Sequence, residues 1–225
     1  GVGVVKSYAR IGLVNLSGDV LIEVAGIEPN AVDAFLSEVA HERGAEVTPT
    51  DIAGTAFTMN VLDARVTMDT ILVFNPEVII HLAGVSHINE AQSDPFRAVD
   101  VNVTGTLNVM RAVAKLKQKR LYLPHVVIAS SNHVYGSHPV MSARTEESPL
   151  NQLDVYGASK HAADVIGRSL GLAAHIPTVA LRHVNAYGPG GHPSHITTAA
   201  ARAAITGEVL QLRGDGSARK SYLYV

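Results

Sequence analysis

The sequence predicts an α/β fold in which a doubly wound parallel sheet carries helices on both faces. Short runs of continuously apolar residues suit strands that are buried on both sides, and longer helical stretches separate these runs. A chain of 225 residues is long enough to bury a core of this kind. Parallel sheets bind ligands at the carboxyl ends of their strands, so we expect functional residues directly after each strand.

The first half of the chain contains three predicted strands and one helix. Residues 20–25 form the first strand. Residues 30–43 form a helix that Gly44 closes, because glycine accepts the left-handed conformation common at helix C-termini. Residues 46–50 form the second strand, which ends at Asp51, and residues 78–83 form a third strand rich in β-branched side chains.

The second half of the chain alternates helices and strands in the same way. Its periodicity predicts helices at residues 95–117, 153–172 and 196–207, and strands at residues 126–130 and 178–182. A loop rich in Ser, His and Pro follows the strand at 126–130. Strands that are separated by whole helices have the connections that parallel pairing requires.

Composition excludes several classes of function. The 18 Lys and Arg nearly balance the 20 Asp and Glu, and a net charge of −2 argues against a nucleic-acid partner. The absence of cysteine excludes a disulfide scaffold, a thiolate zinc site and a cysteine nucleophile, and it fits a reducing compartment. No apolar run approaches the roughly 20 residues of a membrane helix, and no signal-peptide pattern is present. We therefore expect a cytoplasmic protein without a membrane partner that acts on a small molecule.

Polar residues near the second strand suggest a nucleotide contact. Asp51 is placed to accept both hydroxyls of an adenosine ribose, although a turn or helix-cap role explains it equally well. Asn60 and Val61 follow, and their polar and apolar side chains suit an adenine edge. On their own these residues are a weak signal.

Small residues after the third strand suggest close approach of a ligand to the backbone. Leu82, Ala83 and Gly84 end this strand, and simple strand-end packing is the alternative explanation. Asn102 lies in the next predicted helix, three residues before Gly105. A glycine inside a helix costs stability and often marks close packing against a neighbour.

The strongest chemical signal comes from Tyr156 and Lys160. Residues four apart on a helix share one face, so the lysine ammonium is expected to favour the phenolate and to lower the tyrosine pKa. Ser131 ends the preceding strand and is predicted to hydrogen-bond the same substrate oxygen. A surface pair is the usual explanation of such spacing, but Ser131 brings a third group to the same cleft.

Two polar residues near the end of the chain suggest an anion contact, and a histidine pair suggests little. Asn185 follows the fifth strand, and Arg219 follows a Gly-Asp-Gly turn, where it is suited to clamp a phosphate. His192 and His195 have ligand-like spacing, but no third ligand accompanies them, so no metal site is predicted.

Together these motifs resemble the extended short-chain dehydrogenase/reductases, specifically the NAD-dependent nucleotide-sugar epimerase/dehydratase family with its UDP-glucose 4-epimerases. The resemblance implies a Rossmann-type NAD-binding domain over residues 1–182 and the start of a substrate-binding domain over residues 183–225. It implies that NAD is bound by Asp51, Asn60, Val61, Leu82, Ala83, Gly84, Asn102, Tyr156, Lys160 and His183. It assigns a nucleotide-sugar substrate to Ser86, Ser131, Asn132, His133, Asn185 and Arg219. It also implies a homodimer that pairs the helices at 95–117 and 153–172.

The resemblance implies a hydride-transfer reaction with Ser131, Tyr156 and Lys160 as catalytic residues. Tyr156 takes a proton from a sugar hydroxyl while hydride passes to the nicotinamide and Ser131 holds the oxygen. Returning the hydride to the other face gives an epimerase, which is the leading hypothesis. Asn132 and His133 stand where related dehydratases carry acids, which disfavours water elimination. The Ser-Ser-Asn-His run resembles sugar-acid (uronate) dehydrogenases, so that activity stays open.

Two departures from the family pattern leave a third hypothesis, a degenerate or truncated member without catalysis. The glycine fingerprint that binds pyrophosphate falls on Ile27, Asn30 and Asp33, and an alternative frame keeps a single glycine at Gly18. The first 35 residues are therefore atypical. Family members also continue for roughly another third of their length beyond the position of Val225, so most of the substrate domain is expected to be missing.

Overall fold

A computed structural model describes residues 10–16, 45–51, 57–118, 123–136, 144–188, 195–212 and 221–224. Its strands are β1 (Arg10–Leu16), β2 (Ala45–Asp51), β3 (Phe57–Thr58), β4 (Val78–His81), β5 (His125–Ala129), β6 (Thr178–Leu181), β7 (Asn185–Tyr187) and β8 (Tyr222–Tyr224). Its α-helices are α1 (Ala64–Phe74), α2 (Ile88–Ser93), α3 (Pro95–Val99), α4 (Gly105–Lys117), α5 (Val155–Ala174) and α6 (Ile196–Thr206). A π-helical turn at Asp100–Thr104 joins α3 to α4.

Six strands form one sheet in the order β3-β2-β1-β4-β5-β6. Strands β4, β5 and β6 are parallel to one another, and β2 is parallel to β3. All four residues of β4 are buried, as expected for a Val- and Ile-rich strand at the centre of a sheet. The α/β fold is confirmed, and the strands predicted at 46–50, 78–83, 126–130 and 178–182 are found with small shifts at their ends.

Strand β1 departs from the all-parallel prediction. It lies between β2 and β4 and runs antiparallel to both, with Arg10 opposite Asp51 and Leu16 opposite Ala45. Antiparallel pairing satisfies the backbone groups of both neighbours as well as parallel pairing would, and mixed sheets are common. The predicted strand at 20–25, the predicted helix at 30–43 and the fingerprint positions at 27, 30 and 33 lie outside the described residues.

Helix α1 was not predicted from the sequence. Asp63 caps its first turn, because a carboxylate oxygen accepts hydrogen bonds from the backbone N–H groups of Arg65 and Val66 at 3.0 Å each. Its buried face includes Thr67 and Ile71, and the helix packs beside α4. The remaining positions are mostly exposed, so the apolar stripe is narrow.

The helix predicted at 95–117 is present, but its middle is a π turn. Asp94 caps α3 by accepting a hydrogen bond from the backbone N–H of Arg97, and Pro95 occupies the first turn. Gly105 begins α4 at a point where an added Cβ would lie 2.7 Å from Val61 Cγ2. The close packing predicted from this glycine is therefore observed, and it brings α4 against the segment that follows β3.

Helix α5 lies directly on the sheet. Asp154 caps its start by accepting a hydrogen bond from the backbone N–H of Gly157 at 2.8 Å. An added Cβ at Gly167 would collide with Ile128 of β5, so the absence of a side chain lets the helix approach the strand. Helices α1, α4 and α5 are consecutive neighbours, and the buried core lies among α4, α5 and strands β4 and β5.

Strands β7 and β8 form a separate two-stranded parallel sheet after the last strand of the main sheet. The ring of Tyr187 contacts the rings of Tyr222 and Tyr224 edge to face. Helix α6 matches the prediction at 196–207 and has no buried residue in the described part of the chain. None of the helices that the structure describes is long and apolar enough to span a membrane.

Candidate active site

The structure brings Ser131, Tyr156 and Lys160 together at the end of β5. Tyr156 and Lys160 lie on the first two turns of α5, and Ser131 is the second residue after β5. All three are buried, with 3% of Ser131, 6% of Tyr156 and 6% of Lys160 exposed. The Ser131 hydroxyl lies close enough to the Tyr156 phenol to act on its pKa as a hydrogen-bond partner. The three residues that the sequence analysis grouped therefore come from adjacent elements of the fold.

The pKa of Tyr156 moves in the direction opposite to the sequence prediction. Burial raises it above its ordinary value, the hydrogen bond with Ser131 acts to lower it, and the charge of Asp154 adds to the rise. Burial wins because a phenolate loses more hydration than a phenol when it leaves water. The predicted lowering by Lys160 is therefore wrong for this state, in which the tyrosine is a neutral phenol.

Lys160 is a buried ammonium with donors to spare. Its Nζ donates a hydrogen bond to the backbone carbonyl oxygen of Ala129 at 3.0 Å. An ammonium has three N–H donors, and this bond occupies one of them. Burial lowers the pKa of Lys160 to about 8, so the group is mostly charged at neutral pH. The remaining donors suit hydroxyl groups of a ligand lying against this surface.

Two histidines lie close enough to Lys160 for its charge to lower their pKa values. The pKa of His81, at the end of β4, falls to about 3, mainly through burial and in addition through Lys160. The pKa of His183, which follows β6, is also lowered by burial, while its hydrogen bond to the Val184 carbonyl acts to raise it and Lys160 lowers it further. Both rings are therefore neutral at neutral pH, and Lys160 is the cation of this group.

Gly84 brings the backbone after β4 against Asn102 and Lys160. An added Cβ at Gly84 would lie 2.7 Å from Asn102 Oδ1 and 2.8 Å from Lys160 Nζ. Ala83 next to it is buried, and Leu82 is half-buried. The predicted small-residue segment therefore lies beside the Tyr156–Lys160 helix, where the absence of a side chain at Gly84 lets Asn102 and Lys160 approach the backbone.

Asn102 ties three elements together within the π turn. Its Oδ1 accepts a hydrogen bond from the backbone N–H of Val85 at 2.8 Å, and its Nδ2 donates to Ser159 Oγ at 2.8 Å. Ser159 in turn donates to the carbonyl of Tyr156. Asn102, a residue predicted to bind the cofactor, is therefore only 1% exposed. Its amide is hydrogen-bonded to other residues of the protein, and it shapes the site through these bonds.

The hydrogen-bond directions around Thr106 assign the tautomer of His81. The Thr106 hydroxyl donates to the Asn102 carbonyl at 2.7 Å, so it accepts the hydrogen bond from His81 Nε2 at 3.0 Å. His81 therefore carries its proton on Nε2. Its Nδ1 is a buried acceptor that has no partner among the described residues.

The predicted adenine-side residues lie around the start of α1. Val61 is buried, and its carbonyl accepts a hydrogen bond from Asn108 Nδ2 at 2.8 Å. Asn60 is exposed, and its Oδ1 accepts a bond from the backbone N–H of Leu62 at 3.0 Å. Asp51 ends β2 opposite Arg10, while its side chain lies outside what the structure describes.

Two of the predicted substrate residues, His133 and Asn132, lie beside Tyr156 and at the end of β5. The rings of His133 and Tyr156 meet edge to face with their centroids 5.5 Å apart. Asn132 donates its backbone N–H to the His183 carbonyl at 3.0 Å, which joins the ends of β5 and β6. Ser86 is exposed, and its Oγ lies 3.1 Å from His87 Nδ1.

Asn185, another of the predicted substrate residues, has its described contact away from this group. Asn185 Nδ2 donates to the Ser221 carbonyl at 3.3 Å, a contact that belongs to the β7–β8 sheet. Arg219 lies outside the described residues. In the described part of the chain, no group of three or more His, Asp and Glu side chains is arranged to hold a metal ion.

Sequence reasoning missed the buried residues that support the site. Ser159 and Asp164 lie on α5, three and eight residues after Tyr156, and both are buried. Helical spacing from Tyr156 was the signal available for them, since positions three, four and eight residues apart share one face of a helix. Ser130 also escaped notice although it is adjacent to Ser131.

The residues present fit a dinucleotide at its nicotinamide end. Lys160 Nζ uses one donor on the Ala129 carbonyl, Gly84 lies against this ammonium, and the Tyr156 phenol is buried on the same helix as Lys160. A six-stranded α/β sheet with a Ser, a Tyr and a Lys gathered at one strand end is the arrangement typical of the short-chain dehydrogenase/reductase class of proteins. The chain belongs to the NAD dependent epimerase/dehydratase family, whose family model matches residues 22–225. Members of this family are NAD-dependent enzymes.

Similar proteins of known activity come from several bacteria. UDP-glucose 4-epimerase of Bacillus subtilis is 28% identical over 245 aligned residues, which cover 100% of this chain and 67% of that protein. A dTDP-glucose 4,6-dehydratase of Neisseria gonorrhoeae is 27% identical over 188 residues, covering 78% of this chain and 54% of that protein. The chain spans about half the length of the first curated relatives it matches.

Solved structures share the fold. The dTDP-glucose 4,6-dehydratase DesIV of Streptomyces venezuelae, solved as a double mutant with NAD bound, is 26% identical with a TM-score of 0.66 over 75% of this chain and 50% of that one. MoeE5 in complex with UDP-glucuronic acid and NAD gives a TM-score of 0.72 at 23% identity, over 85% of this chain and 64% of that one. NAD is the cofactor bound in both structures.

Proposed function

We propose that this chain binds NAD across the ends of β4 and β5 and acts on a nucleotide sugar as a 4-epimerase-type oxidoreductase. The observation that carries the proposal is the buried group of Ser131, Tyr156 and Lys160, in which Ser131 acts on the pKa of the phenol as a hydrogen-bond partner. Membership of the NAD-dependent family and the UDP-glucose 4-epimerase of Bacillus subtilis among its relatives support the same reaction class.

Each of the three residues has a chemical task in this proposal. Tyr156 takes the proton of the sugar C4 hydroxyl, and Ser131 hydrogen-bonds the same oxygen as it becomes a carbonyl. Burial raises the pKa of Tyr156, so its anion needs local support, and the Ser131 hydroxyl acts in that direction. The spare donors of Lys160 bind the nicotinamide ribose. NAD, when bound, supplies the hydride acceptor.

The remaining predicted contacts are part of the same proposal. Gly84 and Ala83 line the cofactor with the Asn102 clamp behind them, His183 lies at its nicotinamide side, and Val61 with Asn60 lies at its adenine side. Residues 1–182 form the NAD-binding domain and residues 183–225 begin a substrate domain, for which the separate β7–β8 sheet is support. A cytoplasmic location stays a prediction from the sequence.

A second reaction, uronate oxidation, is favoured by a specific feature of the site. His133 packs against Tyr156 at the position where dehydratases of this family carry an acid, and its ring suits a carboxylate on the sugar. An imidazole in this place does not offer the carboxylic acid that dehydration uses, so we do not propose a dehydratase. A sugar-acid dehydrogenase is the alternative.

A homodimer is the proposed assembly. Phe96 on α3 is 83% exposed and Leu172 on α5 is 81% exposed, and both helices belong to the segments that pair in the proposed dimer. Light scattering after gel filtration measures the mass directly. The Phe96→Glu variant should shift a dimer towards monomer, and a wild-type mass of one chain would contradict the assembly.

Product analysis tests the proposed reaction. The protein is incubated with NAD⁺ and, in separate reactions, UDP-glucose, UDP-glucuronate or free glucuronate, and the sugars are followed by proton NMR and NADH by its absorbance. An epimerase converts a UDP-sugar to its C4 epimer without net NADH. Steady NADH formation with free glucuronate, and no turnover of either UDP-sugar, would replace the epimerase by the sugar-acid dehydrogenase.

Thermal unfolding with NAD⁺ tests the third hypothesis, a family member without catalysis. A saturating ligand stabilises the folded state by RT ln(1 + [L]/Kd), about 2.7 kcal/mol at a hundredfold excess over Kd. We expect the unfolding temperature to rise with NAD⁺. If millimolar NAD⁺ leaves it unchanged, the altered N-terminal segment has lost the cofactor and the enzymatic proposal fails.

A further inference from the structure

Asp164 is a fully buried carboxylate with three partners. Its side chain is 0% exposed, and it accepts hydrogen bonds from Arg168 Nε at 2.6 Å, Arg182 Nε at 2.8 Å and Ser130 Oγ at 3.2 Å. Burial alone would raise the pKa of Asp164, but the hydrogen bonds and charges of Arg182 and Arg168 outweigh it and lower this pKa. Asp164 is therefore a charged, fully engaged group inside the protein.

Asp164 and Lys160 attach the same helix to consecutive residues of one strand end. They lie one turn apart on α5, where Lys160 Nζ bonds to the Ala129 carbonyl and Asp164 bonds to the Ser130 hydroxyl. Ser131 is the next residue. Two attachments at neighbouring points fix both the distance and the rotation of the helix relative to the strand, whereas one attachment leaves a pivot.

Arg182 extends this attachment to the neighbouring segments. Its side chain is 11% exposed and lies just after β6. One NH group donates to Tyr135 Oη at 3.1 Å and to the Glu146 carbonyl at 3.0 Å, and the guanidinium lies over the Tyr135 ring. Tyr135 ends the short 3₁₀ helix that carries Asn132 and His133, so the network reaches the proposed substrate side.

We propose that Asp164 is a positioning residue that, through Ser130 and Arg182, holds α5 in register with the end of β5 so that Tyr156 and Lys160 face Ser131. The effect on catalysis rests on the proposed function, whereas the position of α5 relative to the end of β5 does not depend on it. Asp164 contacts no reacting group. It acts through the two elements that carry them.

The sign of one pKa change separates positioning from a simple charge effect. Lys160 has a pKa of about 8 because it is buried against β5. If the Asp164→Asn variant only removes a nearby negative charge, the pKa of Lys160 falls or stays constant. If the variant releases the helix, water reaches Lys160 and its pKa rises towards the ordinary value of about 10.4.

NMR titration of the lysine side chains provides the test, and it needs neither substrate nor NAD. The chain has six lysines, and the Lys160 signal is assigned by its loss in Lys160→Met. We expect Asp164→Asn to raise the pKa of Lys160 by about one unit or more. The groups that also titrate near Lys160 are Tyr156 on its own helix, His81 at the end of β4 and His183 after β6. All three are monitored for changes of their own.

The matched control is Arg168→Gln. Arg168 bonds the other oxygen of the same carboxylate, but it lies on α5 itself and its side chain is 46% exposed, so it attaches the helix to nothing else in the described network. We expect the pKa of Lys160 to stay within experimental error in this variant. Ser130→Ala removes one attachment without changing charge, and it should raise the same pKa by a smaller amount.

Turnover supplies the second readout. Asp164→Asn should lower kcat roughly tenfold with KM within about twofold of the wild type, since a small displacement of catalytic groups slows the chemical step. Circular dichroism confirms folding, and Ser130→Ala carries the test if Asp164→Asn does not fold. An unchanged or lowered pKa of Lys160 in the folded variants overturns the proposal. If the wild type turns over no sugar, the proposed function fails while the NMR titration still decides the register.

Discussion

The ammonium of Lys160 donates a 3.0 Å hydrogen bond to the carbonyl of Ala129, the last residue of β5. This bond fixes a charged group at a strand end while leaving two of its three donors for a ligand. The cost of burying the charge is visible in a pKa of about 8. Among the groups of the site that titrate above neutral pH, Lys160 is therefore the one whose charge changes closest to neutral pH.

The affinity for NAD should fall as the pH rises through about 8. Below this pH Lys160 is an ammonium and donates to the nicotinamide ribose, and above it the neutral amine is a weaker donor. Loss of a charged hydrogen bond predicts roughly tenfold weaker binding well above the pKa. Calorimetric titration across this range measures it. Lys160→Met should bind NAD weakly at every pH, and a persistent pH dependence in that variant would assign the effect to another group.

Replacing Tyr156 with Phe should abolish most of the turnover without unfolding the protein. The change removes the phenol oxygen that is hydrogen-bonded to Ser131 and keeps the buried ring, and loss of a general acid-base group costs about 10²–10⁴-fold. Initial rates with the active sugar substrate provide the measurement. Tyr187→Phe, at an exposed ring in β7, is the matched control. Equal rates for wild type and Tyr156→Phe would remove Tyr156 from the mechanism.

Gly84→Ala should destabilise the protein through Asn102. The new Cβ would lie 2.7 Å from Asn102 Oδ1, and three hydrogen bonds hold that amide in place. Overpacking of this kind costs about 1–3 kcal/mol of unfolding free energy. Denaturant unfolding of Gly84→Ala, Asn102→Ala and the double variant forms a double-mutant cycle. Because Asn102→Ala removes the clash with Oδ1, while the 2.8 Å approach to Lys160 Nζ stays, the double variant should lose less than the two single losses together, whereas strict additivity would contradict the contact with Asn102.

Acid should destabilise the fold through His81. Its pKa is about 3 in the folded protein against an ordinary histidine value of 6.5, so between these limits the unfolded chain binds the proton and the folded protein does not. The contribution of neutral His81 to the unfolding free energy is fully present above pH 6.5. Below pH 6.5 the unfolding free energy falls by about 1.4 kcal/mol for each pH unit, or by about 2 kcal/mol at pH 5.

The His81→Gln variant should remove this part of the acid sensitivity. Its amide nitrogen keeps a donor for Thr106 but takes up no proton, so its unfolding free energy should vary less over the same range. Denaturant titrations at pH 7 and pH 5 give the comparison. His125→Gln, at an exposed position of β5, is the control and should retain the wild-type slope. A His81→Gln variant with the full wild-type slope would place the acid-sensitive group elsewhere.

The sequence predicted the elements whose signal is local. The strand at 78–83 is recognisable because its Val and Ile residues are buried on both faces, and α5 because its apolar face repeats with helical period over five turns. Helix α1 escaped because only a narrow stripe around Thr67 and Ile71 is buried, although Asp63 was a visible N-cap. The direction of β1 depends on partners in β2 that are 29 to 41 residues away, which no local pattern encodes.

The catalytic group was predictable and its support was not. Ser131, Tyr156 and Lys160 follow from strand ends and helical spacing, which are properties of short segments. The bonds of Asn102 reach residues 17 and 57 positions away, and Asp164 reaches Ser130 across 34 positions. Burial also changed the electrostatics. The pKa of Tyr156 rises rather than falls because the sequence shows which charges are near but not how much water is excluded.

The π turn determines how α4 is rotated about its own axis where that helix passes the site. Before α4 begins, Asn102 bonds the segment after β4. Six residues later Asn108 bonds the Val61 carbonyl at the other end of the proposed cofactor path. A residue added to or removed from an α-helix rotates everything beyond it by about 100°. A one-residue insertion or deletion between Asn102 and Asn108 would therefore turn one of the two amides away from its loop. Any engineered shortening or recombination of the fold therefore has to keep the spacing between these two asparagines unchanged.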